Sequence, residues 1–238
     1  MLLCPMPREQ LLRFLPHGGE VAEIGVAEGD FSRAILDALE PEALHLVDPW
    51  VHQARADYVA DPNNVSDGTQ ASRYESVLAR FQSERERGQV HVHRTYSHEA
   101  ADLFEAARFH WIYVDAMHTA EAVYRDLVAW HDTVKSEGFI IGHDYTNHVQ
   151  ARSWNFGVVD AVNRFVAHFG YEFLALTIEP FPTYVLAKTP GSKAAEALKV
   201  RLITQVPYIV EIRDFPKAHG FEHKSLPVGD QVLVYHSF

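Results

Sequence analysis

The chain is nearly without cysteine: Cys4 is the single thiol in 238 residues. That excludes an internal disulfide framework and a thiolate zinc cluster, and it suits a reducing compartment. Long apolar runs are also missing, since no stretch approaches the roughly 20 residues that a membrane span requires. Met1–Pro7 carries no charged leader, so residence in the cytoplasm is the expectation. Positive charge is scarce, with 21 Lys and Arg against 32 Asp and Glu and a formal charge of −11. Such a field repels phosphate backbones and anionic lipid, so neither nucleic acid nor a membrane is expected as partner. The densest charged run, Glu84–Arg87, interleaves both signs and reads as the solvated face of a helix. Internal repeats and low-complexity tracts are absent as well.

What is present is the balance of a packed protein, 47% apolar and 22% charged, at a length that one α/β core can accommodate. Short apolar runs alternate with segments of helical period, the pattern of a parallel sheet with crossover helices. Strands are predicted at Glu20–Ile24, Ala43–Val47, Val90–His93, Trp111–Val114, Phe139–Gly142, Tyr171–Leu176 and Tyr184–Ala187. Helices are predicted at Arg8–Leu15, Phe31–Leu39, Ser72–Arg87, His98–Ala107, Ala120–Thr133 and Val158–His168. The expected fold is therefore α/β and Rossmann-like, with seven mostly parallel strands and helices on both faces. The last two strands are too close for a crossover helix, so the last is expected to run antiparallel. The connection Val51–Thr69 is long for a compact domain, a length typical of lids. Beyond Pro190 the pattern weakens to a short helix near Ala194–Leu202 and an aromatic, Pro-punctuated tail. Residues 191–238 are expected to cap the domain or to meet a second copy of the chain.

The first strand runs directly into Glu23-Ile-Gly25-Val-Ala-Glu-Gly29, which opens a helix. Glycine permits a sharp turn and close approach of a ligand. A dinucleotide fingerprint wants glycine where Ala27 and Asp30 stand. S-adenosylmethionine, which has an amino-acid tail and no pyrophosphate, tolerates Ala27 and gains from Glu23 beside its positive charges. The second strand ends at Asp48, placed to accept hydrogen bonds from ribose hydroxyls. Ser97, after the third strand, meets the adenine edge or caps the following helix.

Trp111-Ile-Tyr-Val-Asp115-Ala-Met-His118 delivers a carboxylate at a strand tip and an imidazole three residues on. The next strand ends Gly142-His143-Asp144-Tyr145. Adjacent strand tips lie about 4.8 Å apart, so these four side chains are expected to converge. Asp115, His143 and Asp144 are candidate ligands of a divalent ion such as Mg²⁺ or Mn²⁺, and Asp115 also lies at the cofactor. A neutral alcohol is a weak nucleophile, so His118 is assigned as the base that takes its proton. Tyr58, Tyr145, His148, Arg152 and Trp154 are candidates to line the site of a small-molecule acceptor.

Together, Glu23–Gly29, Asp48-Pro-Trp50, the run Asp115–Trp130, and Gly142-His-Asp-Tyr145 resemble the bacterial class I methyltransferases with Asp-x-x-His and Gly-His-Asp-Tyr motifs, related to the macrocin-type sugar O-methyltransferases. The resemblance spans about residues 20–190, so residues 1–190 are expected to form the methyltransferase domain. It implies a seven-stranded sheet with a reversed last strand, and in metal-dependent relatives an Asp, a His base and an acidic pair. Asp115, His118 and Asp144 match that pattern, whereas His143 replaces an acidic ligand and Ala120 a usual aromatic. Three alternatives stay open: a metal-independent methyltransferase, a protein that binds the cofactor without catalysis, and, on fold alone, a nicotinamide oxidoreductase, against which Ala27 and Asp30 argue.

Overall fold

The computed structural model describes residues 1–229 and 231–238. In chain order the amino-terminal half comprises β1 (Leu2–Cys4), α1 (Arg8–Leu11), β2 (Glu20–Ile24), α2 (Asp30–Leu39), β3 (Ala43–Val47), α3 (Asp67–Arg80), α4 (Gln82–Glu86), β4 (Val90–His93), α5 (Ser97–Ala100) and β5 (Phe109–Val114). There follow α6 (Ala120–Trp130), β6 (Val134–Gly142), α7 (Val149–Ser153), α8 (Val158–Phe169), β7 (Glu172–Thr177), β8 (Tyr184–Ala187), α9 (Lys193–Gln205), β9 (Val210–Glu211), β10 (Glu222–Val228) and β11 (Gln231–Ser237).

Nine strands form the main sheet in the order β4-β3-β2-β5-β6-β8-β7-β1-β9, and β10 with β11 forms a separate hairpin. The fold is α/β and Rossmann-like. The sheet is mostly parallel, with β8 antiparallel to both neighbours and β9 antiparallel to β1. The predicted hairpin of the sixth and seventh strands is present as β7–β8. The sheet has nine strands rather than seven because β1 and β9 extend it beyond β7. These two span three and two residues, too few to display the alternation that marks a strand in sequence.

Side chains alternate between two cores, as the two-residue period of a strand requires. Val21, Trp111 and Phe139 face one layer, where Ile35 and Leu39 of α2 and Leu198 and Leu202 of α9 cover them. Ala22, Ile112 and Ile140 face the other, covered by Leu127 and Trp130 of α6 and Val162 and Phe165 of α8. Residues after Pro190 thus contribute both to the sheet and to the first core. The helix expected over Ser72–Arg87 breaks at Phe81, whose φ of −107° and ψ of 20° leave the helical region. Its ring is buried beneath the Gly29 turn. The helix expected over His98–Ala107 shortens to α5 followed by a single 3-10 turn, Ala101–Leu103.

The long connection after β3 folds back on the sheet edge. Gln53 N donates to Asn64 Oδ1 at 2.8 Å and His52 N to Asp67 Oδ1 at 2.8 Å, which closes the loop upon itself. Tyr58 and Asp61 are buried by it. No described helix is long and apolar enough to cross a membrane.

Candidate active site

The turn after β2 is held by backbone constraints of its own. A Cβ on Gly25 would stand 1.9 Å from the Asp115 carbonyl oxygen, and its φ is +89°. Gly29, at φ +75°, would meet the Phe81 ring at 2.8 Å. Both glycines are therefore demanded by neighbouring protein atoms, whether or not a ligand approaches. Glu23 is buried, and its carboxylate accepts a short hydrogen bond from the Ser32 hydroxyl. Burial raises the Glu23 pKa to about 8, against the opposing pull of that hydroxyl.

Asp48 is engaged by the same turn. Its Oδ2 accepts from Val26 N at 3.0 Å and Ala27 N at 3.1 Å, and its Oδ1 from Trp50 N at 2.7 Å. The Trp50 indole in turn donates to the Ala27 carbonyl at 2.9 Å. Burial raises Asp48 from the ordinary carboxylate range despite these three donors. Ser97 is the first residue of α5 rather than its cap, a position taken by Tyr96 without a side-chain bond. The Ser97 hydroxyl accepts from the Trp130 indole at 3.0 Å. Asp126 lies beside it, unnoticed by sequence reasoning. Its Oδ1 is buried without a hydrogen-bond partner, and burial raises its pKa to about 6.

The predicted carboxylate and imidazole cluster is assembled. Val114 is in register with Gly142 on adjacent parallel strands, so Asp115 and His143 leave the sheet side by side. His118 Nε2 lies 2.9 Å from Asp144 Oδ2 and 3.5 Å from Asp115 Oδ1. His143 Nδ1 is 3.4 Å from Asp144 Oδ2 and 3.7 Å from Asp115 Oδ2. One donor atom each from Asp115, His118 and Asp144 lies within 4.8 Å of the others, a spacing that a metal ion can bridge. Asp144 adopts φ +59°, a conformation costly for a non-glycine residue and common where a side chain must be aimed.

Sequence reasoning missed two members of this cluster. Asp61, brought in by the long loop, is buried and accepts from His118 Nδ1 at 2.7 Å. Arg8 Nη1 donates to Asp115 Oδ2 at 3.0 Å. Burial alone would lower the His118 pKa, but Asp144, Asp115 and Asp61 outweigh it and raise it well above 6.5. Burial is likewise overcome at His143, which Asp115 and Asp144 raise. In return, His118 and His143 hold Asp144 far below the usual carboxylate range, and together with Arg8 they lower Asp115, in both cases against burial.

The predicted acceptor lining is only partly present. Tyr58 and Trp154 line the cleft, joined by Phe156 and Phe181. The Phe156 ring stacks on His118 with centroids 4.2 Å apart. Tyr145 is instead fully buried, its hydroxyl donating to Asn163 Oδ1 at 2.7 Å. His148 caps α7 by accepting from Ala151 N. Arg152 lies on a different hollow, with Nη2 3.9 Å from Glu222 Oε1. Position just after a strand tip does not reveal which way a side chain turns, and these three turn away.

A single cleft of about 530 Å³ joins all of these parts, from the Gly25–Asp30 turn and Asp48 through Ser97 to Asp115, His118 and Asp144. That is within the roughly 300–1,000 Å³ of small-molecule sites. Among solved structures, the N-methyltransferase NodS from Bradyrhizobium japonicum WM9 is similar at a TM-score of 0.54 and 12% identity, over 76% of this chain and 94% of that one. SMU.1697c from Streptococcus mutans, solved in complex with SAH, is similar at a TM-score of 0.50 and 8% identity, over 75% of this chain and 93% of that one. Spermidine synthase from Thermotoga maritima gives 0.50 and 13%, over 82% of this chain but 62% of that one, so this chain spans less than two thirds of that relative. At such identities the likeness concerns the fold. No curated protein matches in sequence. The model of the methyltransferase domain family matches residues 22–145, from the third residue of the glycine-turn strand β2 to the tyrosine after Asp144, and the chain belongs to that family.

Proposed function

We propose that the protein transfers the methyl group of S-adenosylmethionine to a hydroxyl of a small acceptor, a sugar or other hydroxylated metabolite, with His118 as general base. One observation carries this reading: the glycine turn and the carboxylate and imidazole cluster open into the same cleft. The ligand's fit is supported by two buried carboxyl groups at the cleft, Glu23, held neutral by burial, and Asp126, one oxygen of which has no hydrogen-bond partner. When bound, S-adenosylmethionine supplies a methyl group on a positively charged sulfur, open to in-line displacement. Glu23, Gly25, Gly29 and Asp115 would surround its tail. Asp48, with three of about four acceptor positions used by backbone, would keep one for a ribose hydroxyl. Ser97 and Asp126 would stand at the adenine.

His118 is oriented from both sides. Asp61 fixes Nδ1, which leaves Nε2 directed at Asp144 and the cleft, and Phe156 shields one face of the ring from water. Asp115, His143 and Asp144 form a donor set that suits Mg²⁺ or Mn²⁺. Such an ion supplies a positive charge that acidifies an acceptor hydroxyl and offsets the carboxylates that hold His118 protonated. A metal-independent reaction is favoured by a different observation: Arg8, His118 and His143 already face the three carboxylates Asp61, Asp115 and Asp144. Residues 191–238 are read as an extension that completes the domain along its β7 side.

The test is direct. S-adenosylhomocysteine should raise the melting temperature and NAD⁺ should not; stabilisation by NAD⁺ alone would remove the reading. Radiolabelled methyl transfer to a panel of hydroxylated acceptors, with and without EDTA, decides between the two forms of the reaction. Label found only on nitrogen would overturn O-methylation.

A further inference from the structure

Arg8 opens a four-residue helix, and nothing in its sequence surroundings marks it as functional. The structure holds it firmly. Nη1 donates to the Tyr113 hydroxyl at 3.1 Å and to Asp115 Oδ2 at 3.0 Å, and the guanidinium carbon sits 4.7 Å above the Phe31 ring. Nη2 makes no hydrogen bond among the described residues, and a quarter of the side chain is exposed, into the cleft. The other two arginines of the cleft are used elsewhere: Arg73 bonds Glu28 and the Asn63 carbonyl, and Arg125 stands beside Asp126 at the Ser97 end. At the end bounded by Glu23, Phe31 and Asp115, Arg8 is therefore the arginine.

An arginine immobilised on three sides with one arm of its fork free binds a carboxylate at little entropic cost, and the planar fork matches carboxylate geometry. We propose that Arg8 anchors the carboxylate of the ligand's amino-acid tail while Glu23 and Asp115 face the neighbouring ammonium, so that the site selects a tail retaining both groups over a decarboxylated one. The inference rests on the S-adenosylmethionine reading. A zwitterionic tail supplies an anion for the free arm of Arg8, whereas a lone ammonium would leave Arg8 facing a second cation.

The test compares three ligands by calorimetry: S-adenosylhomocysteine, its decarboxylated analogue S-adenosyl-3-thiopropylamine, and 5′-methylthioadenosine, which lacks the tail. The wild-type protein should bind S-adenosylhomocysteine about tenfold to a hundredfold more tightly than the decarboxylated analogue, the range of a charge-assisted hydrogen bond. Arg8→Gln should abolish that preference and leave methylthioadenosine binding within about twofold, and Arg8→Lys should restore part of it. Methylthioadenosine binding doubles as the control for an intact cleft. Equal loss for all three ligands in Arg8→Gln, or no preference in the wild-type protein, would overturn the anchor while leaving the cofactor reading in place. Failure of the wild-type protein to bind either S-adenosylhomocysteine or methylthioadenosine would overturn both.

Discussion

Two sets of buried titratable groups in this molecule experience the same desolvation and answer it in opposite ways. At the cleft, His118 and His143 stand among Asp61, Asp115 and Asp144, and both are raised above the ordinary histidine value although burial opposes this. Away from the cleft, His45 packs against His91, His93, Phe104 and Phe109. With burial dominant and no buried carboxylate in contact, its pKa is lowered to about 3. His223 and His236, packed edge to face at 4.5 Å, follow it to about 3 and about 4. Glu23 is the acidic counterpart, where burial outweighs the Ser32 hydroxyl and the Arg8 charge and drives it to about 8. Burial sets the size of the penalty, and the neighbours decide whether charge survives it. The cluster that lines the cleft thus keeps its charge through its neighbours, whereas the aromatic-histidine clusters stay neutral.

The comparison breaks most visibly at His118. If its carboxylate setting serves proton transfer, His118→Ala should lower turnover by about 10²–10⁴-fold, with S-adenosylhomocysteine binding nearly unchanged. Steady-state rates beside calorimetry check this, and a loss under tenfold would return His118 to a structural role. A smaller effect is expected at Glu23. Its neutral form dominates below about pH 8 in the free protein, while an ammonium ligand favours the ionised form. Affinity for S-adenosylhomocysteine should therefore rise with pH between 6 and 8, by up to about tenfold per unit. In Glu23→Gln that slope should vanish.

Smallest is the effect on stability of the uncharged histidines. Their folded pKa values lie below the unfolded value of 6.5, so the unfolded chain binds more protons between about pH 6.5 and 3. Stability is complete above that window and is lost as the pH falls through it. Melting should drop by several degrees from pH 7 to pH 5, about 1 kcal/mol being worth roughly 2–4 °C at this chain length. His45→Leu should make the acid decline shallower, and an unchanged decline would mean that other groups govern it.

The half of the cleft around the glycine turn was legible because its signals are local. A strand, a turn with Gly25 and Gly29, and a helix follow one another in sequence, and Asp48 and Asp115 stand at strand tips that a parallel sheet must bring to one edge. Even there the reasons differ from the expected ones: Gly25 is required by the Asp115 backbone and Asp48 is bound by the turn. The aromatic half was less legible. Tyr145, His148 and Arg152 follow Asp144 directly but point elsewhere, because chain proximity after a strand does not fix side-chain direction. Phe156 and Phe181 reach the cleft from segments that looked like ordinary loops.

By itself the sequence determined the order of elements, the two-faced strands that divide the cores, and the strand tips at which chemistry gathers. These follow from periodicity and backbone conformation, which act over a few residues. The tertiary structure alone decided what joins residues far apart: Asp61 to His118 across 57 positions and Arg8 to Asp115 across 107. It also decided which buried groups keep their charge. Electrostatic energy depends on distance through space and on the loss of water, and neither is written in the spacing of residues along a chain.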